Sequence, residues 1–111
     1  MLKSKIGDYS IIIDGTWCEI SKFGYGVIEY SNTEDENINA ENILMNFIVK
    51  DMKKVRNNHN LDEIKRFLSQ FNKEELKKIR IAYVKNNKDV LSILAESGYT
   101  VESYIKYINA Q

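Results

Sequence analysis

The sequence predicts an α+β fold: an N-terminal three-stranded antiparallel sheet followed by four to five short helices, in a single domain covering residues 1–111. Three observations predict it. Apolar residues alternate or run in short β-branched blocks between about residues 9 and 30. From Asn39 onward they recur at three- and four-residue steps. The chain has 111 residues, 43% hydrophobic and 29% charged, which is ordinary globular composition and enough to bury a core without a disulfide.

Tyr9-Ser10-Ile11-Ile12-Ile13 reads as the first strand, closed by an Asp14-Gly15 hairpin signal, with Thr16-Trp17-Cys18-Glu19-Ile20 returning. A glycine-punctuated loop through Gly24 and Gly26 leads to the third strand, Val27-Ile28-Glu29-Tyr30. Ser31 to Asn37 is polar and acidic and reads as a loop. Asn39 is placed to cap the first helix, whose stripe is Ile43, Leu44, Phe47, Ile48, Met52 and Val55. Asn57-Asn58-His59-Asn60 breaks it. Asn60, with Glu63 three residues on, starts a second helix buried through Leu61, Ile64, Phe67, Leu68 and Phe71. Asn72-Lys73-Glu74-Glu75 repeats that start for a third helix carrying Leu76, Ile79, Ala82 and Tyr83. Asp89 is expected to cap a fourth helix ending at Gly98, and Thr100 a fifth from Val101 to Asn109.

Reactive groups are sparse. Cys18 is the one cysteine and His59 the one histidine. Cys18 falls mid-strand, where a small apolar side chain belongs, and His59 falls in a turn. One of each, without ligand spacing, predicts neither a zinc site nor a thiol nucleophile. Asp14, Glu19 and Glu29, with Lys22 nearby, form the one carboxylate set able to converge for Mg²⁺ or hydrolytic chemistry, yet their spacing matches no nuclease motif. No catalytic residue, metal or cofactor is therefore expected.

Charge is balanced at 16 basic and 16 acidic residues but unevenly spread. Residues 1–49 carry three Lys and eight Asp/Glu, a net of 3 − 8 = −5. Residues 50–90 carry twelve Lys/Arg and six Asp/Glu, a net of 12 − 6 = +6. Such asymmetry steers partners. The single cysteine and the lack of any long apolar run predict a cytoplasmic protein. Abundant Lys, Asn and Ile point to an AT-rich bacterial or phage genome.

Gly24-Tyr25-Gly26-Val27-Ile28-Glu29-Tyr30 resembles the aromatic strand of RNA-recognition and cold-shock domains, where aromatics stack on bases. Phe23 stands at the basic position, and simple alternation puts Tyr30 on the face opposite Val27. The basic helices, through Lys53, Lys54, Arg56, Lys65, Arg66, Lys77, Lys78 and Arg80, are the second route to nucleic acid.

Leu61-Asp62-Glu63-Ile64, Glu74-Glu75-Leu76 and Gly98-Tyr99-Thr100-Val101-Glu102 resemble the helical part of ArdA-type antirestriction proteins, over less than half of the chain. That family imitates DNA with many acidic residues. The resemblance implies short helices after a small sheet, and it transfers no functional residue. The expected function is a non-catalytic interaction module. It would be a small inhibitor of antirestriction, anti-CRISPR or toxin-immunity type, docking on a nuclease or similar enzyme. Homodimerisation is a further expectation. The expected partner-binding surface is Trp17, Glu19, Tyr25, Glu29, Glu34, Asp35 and Glu36, where aromatics supply anchors and carboxylates meet a basic groove.

Overall fold

The computed structural model describes residues 1–32 and 39–111. It is α+β: four antiparallel strands, β1 (Leu2–Ile6), β2 (Tyr9–Asp14), β3 (Trp17–Lys22) and β4 (Gly26–Asn32), precede five helices. The helices are α1 (Ala40–Asn57), α2 (Leu61–Ser69), α3 (Lys73–Lys85), α4 (Lys88–Glu96) and α5 (Val101–Asn109). The chain divides into two compact units, Met1–Asn72 and Lys73–Gln111.

The sheet is a meander in the order β1-β2-β3-β4. It has one strand more than the three expected. The missed strand, Leu2-Lys3-Ser4-Lys5-Ile6, pairs along its whole length with β2, Leu2 opposite Ile13 and Ile6 opposite Tyr9. Its alternation is masked because Ser4 sits on the inward side and lysines occupy the outward positions. Its turn, Gly7-Asp8, is a two-residue hairpin loop with Gly7 at φ +57°. The next hairpin turns at Gly15-Thr16, one residue later than the Asp14-Gly15 expectation, because Asp14 already pairs with Trp17. In both turns glycine holds the first central position with positive φ, which suits the right-handed twist of the flanking strands.

One face of the sheet is apolar and buried: Ile6, Tyr9, Ile11, Ile13, Cys18 and Ile20. Helix α1 lies across β1 and β2 and contacts α2. It buries Leu44, Met45, Ile48, Val49 and Met52. Tyr9 is the centre of this unit. It is fully buried, meets Phe47 and Phe67 edge-on and stacks on Phe71 at 6.4 Å. Its hydroxyl donates to Asp51 Oδ2 at 2.7 Å, which removes the cost of an unpaired buried O–H. Burial, then the Asp51 acceptor and its charge, push the phenol far above its ordinary range. Glycine is strongly favoured at this turn, since a Cβ there would stand 2.6 Å from Phe71 Cδ1 and force the ring to shift.

Three of the helix starts follow the expected chemistry and a fourth differs. The Asn39, Asn60 and Thr100 side chains accept from the Asn42, Glu63 and Ser103 amides, and Thr100 forms a reciprocal capping box with Ser103. The cap of α4 is Asn87, not Asp89. The Asn87 side chain accepts from the Asp89 amide, and Asp89 instead places its charge in the first helical turn. Gly98 ends α4 at φ +82°. In the second unit α3 packs on α4 and α5, and Ile79, Tyr83, Val84 and Ile108 are buried.

Candidate functional site

A sheet covered by helices on one face leaves the other open. The register places Lys3 and Lys5 on β1, Ser10, Ile12 and Asp14 on β2, and Trp17, Glu19 and Ser21 on β3 of this open face. On β4 the register shifts between Ile20 and Ser21: Glu29 pairs with Ile20, while Val27 pairs with Ser21. This irregularity inserts one residue into β4. Tyr30, opposite Glu19, and Val27, opposite Ser21, therefore share the open face despite being three residues apart. The expectation that they lie on opposite faces is corrected by this bulge.

Trp17 and Tyr30 meet on the open face with ring centroids 5.8 Å apart and remain 42% and 58% exposed. The Trp17 indole Nε1 donates to Glu19 Oε1 at 2.9 Å, which ties the carboxylate to the ring. Ile12 and Val27, each more than one-third exposed, extend the apolar surface. Large apolar side chains usually scatter singly over a surface. Four on one sheet face are an unusual grouping.

The expected partner-binding residues thus separate. Trp17 and Glu19 are joined in this patch. Tyr25 is 75% exposed at the three-residue β3–β4 turn, away from the strand ladder. Glu29 is exposed, but its pairing with Ile20 gives it the parity of the helix-covered face at the sheet edge. Glu34, Asp35 and Glu36 lie outside the described residues. Tyr30 and Ile12 complete the patch and were not among the expected set. The Ile11-Ile12-Ile13 run concealed Ile12, because a continuous apolar run does not say which member faces out.

The carboxylate set does not converge. Asp14 and Glu19 belong to the open face, whereas Glu29 has the opposite parity. Lys22 also points to the helix-covered side, its ammonium 5.0 Å from the Tyr9 ring centroid and 5.3 Å from that of Tyr25. There it borders a depression of about 250 Å³ lined also by Asp8, Phe23, Tyr25, Glu63 and Arg66. Two bases and two acids line it, so its charge is balanced. Cys18 is buried in the sheet and His59 is exposed in the α1–α2 turn at φ +53°. Among the described residues no group of three or more His, Cys, Asp or Glu is placed to hold a metal. No described helix is long and apolar enough to cross a membrane.

The basic helical residues are divided between the two units: Lys53, Lys54, Arg56, Lys65 and Arg66 fall in the first, and Lys77, Lys78 and Arg80 in the second. Compared with known proteins, the chain matches no family model, no curated protein and no solved structure.

Proposed function

We propose that this chain is a non-catalytic protein-interaction module, an inhibitor that docks on a nuclease or similar enzyme through the open face of its sheet. The observation that carries the reading is the contacting Trp17–Tyr30 pair, half-exposed on a strand face and flanked by Ile12 and Val27. Tryptophan and tyrosine dominate binding hot spots because they remove much apolar area from water at little conformational cost, and each keeps a polar handle. Glu19 beside them, and the net charge of −5 over residues 1–49, favour a basic partner surface such as a nucleic-acid-binding groove.

The test is capture of the partner by the full chain and by a Trp17→Ala/Tyr30→Ala variant. Both positions face solvent, so the variant keeps its circular dichroism spectrum. It loses the partner enzyme by at least tenfold in affinity, two hot-spot truncations each costing ~1–2 kcal/mol or more. An unchanged affinity refutes the docking face.

The same face supports one other reading, binding of single-stranded nucleic acid, because the β4 bulge aligns Tyr30 and Val27 with Trp17, and Lys3 and Lys5 stand on β1 at the far edge of the same face. Asp14 and Glu19 offset those two lysines, which favours the protein partner. Oligonucleotide binding that weakens steeply with added salt would favour nucleic acid instead.

A further inference from the structure

The two edges of the sheet differ in chemistry. β1 carries lysines at two of its five positions, Lys3 and Lys5, a common device for discouraging strand addition. β4 is seven residues long, carries one charge, Glu29, and is exposed along nearly its whole length. It pairs only with β3 among the described residues, so alternate peptide groups along its outer side have no strand partner. Its bulge lies toward the Gly26 end. From Glu29 to Asn32 the ladder is regular, with Glu29, Tyr30, Ser31 and Asn32 opposite Ile20, Glu19, Cys18 and Trp17 in turn.

We propose that the regular Glu29–Asn32 segment of β4 is a strand-addition site that accepts a basic extended segment of the partner protein. This rests on the interaction-module reading and gives it a partner chemistry. Charge selects the occupant. No Lys or Arg occurs between Lys22 and Lys50, and that stretch holds five acidic residues. A Lys or Arg directly opposite Glu29 is attracted, and an acidic residue there is repelled. A second copy pairing β4 with β4 antiparallel about the strand centre would set Glu29 against Glu29. An incoming strand also places its outward side chains beside Tyr30, so it enlarges the Trp17–Tyr30 patch instead of competing with it.

The experiment uses the full chain and two synthetic peptides of alternating Thr and Val with a central Lys or a central Glu, followed by amide chemical shifts. The expected result is that the Lys peptide perturbs the β4 amides and binds about tenfold more tightly than the Glu peptide, and that Glu29→Lys inverts the preference. Failure of the Lys peptide to move the β4 amides, or a preference that survives Glu29→Lys unchanged, overturns the proposal. Sedimentation of the chain alone covers the other occupant: concentration-dependent assembly accompanied by shifts of the β4 amides would assign the edge to a second copy and likewise overturn it. Trp17→Ala/Tyr30→Ala separates this result from the docking-face reading. If that variant loses the partner while Glu29→Lys keeps it, the open face docks and the edge does not.

Discussion

Gly7→Ala is the sharpest test of how the first unit is assembled. Two costs combine at this position. The backbone is left-handed at φ +57°, which costs a residue with a Cβ ~1–2 kcal/mol. The new methyl would also stand 2.6 Å and 2.7 Å from Cδ1 and Cε1 of Phe71, a buried ring stacked on Tyr9. The ring cannot swing away without opening the aromatic cluster, and such overpacking costs ~1–3 kcal/mol. The sum is ~2–5 kcal/mol, a large part of the ~5–15 kcal/mol that holds a domain folded. Gly15→Ala is the control. Its φ is +59°, but nothing lies within 4 Å of the added Cβ, so only the backbone cost of ~1–2 kcal/mol applies. Urea unfolding followed by tyrosine fluorescence and circular dichroism gives both values, and Gly7→Ala in a Phe71→Leu background gives the coupling. Equal losses at Gly7 and Gly15, or no coupling to Phe71, would refute the account of Gly7 as a contact glycine.

Further outcomes follow from the same geometry. Tyr9→Phe removes the 2.7 Å bond to Asp51 and costs ~1–3 kcal/mol by urea unfolding, the bond being to a charged acceptor. The Tyr9 phenol is held well above its ordinary value in the folded state, so the folded chain keeps that proton where the unfolded chain releases it. The resulting stability is complete below about pH 10 and declines as pH rises beyond, by ~1.4 kcal/mol per pH unit, a slope that Tyr9→Phe abolishes. Phenolate absorbance is the second readout: the Tyr9 phenol should ionise only on unfolding. Thr100→Ala breaks the capping box of α5 and costs ~1 kcal/mol, seen as faster amide exchange in the first turn of α5 with no change in β2 or β3.

Much of the architecture was legible from local chemistry. Asn39, Asn60 and Thr100 are caps because a short polar side chain before an apolar-periodic run satisfies orphan amides wherever the helix packs. Gly98 is a helix stop for an equally local reason. The α+β order and the burial of Cys18 follow from period and composition. Asn87 replaced Asp89 as the α4 cap because two cap-forming residues lie within three positions of each other, and local preference does not choose between them.

The surface bearing the candidate site was a different matter. β1 is a strand because β2 offers it a ladder, a pairing between segments that Ser4 and the two lysines conceal from a hydrophobic pattern. Ile12 faces outward and Ile11 and Ile13 inward because α1 covers one side of the sheet. Tyr30 joins Trp17, and Glu29 leaves Glu19, because a single inserted residue in β4 reverses the facing that alternation assigns. The five helices and three of the four strands are written in the residues themselves, since caps, turns and periodicity act within a few residues. The fourth strand, and the side chains that meet on the open face, follow from packing instead, since strand register is set by partners distant in the chain and by the helix that occupies the other side.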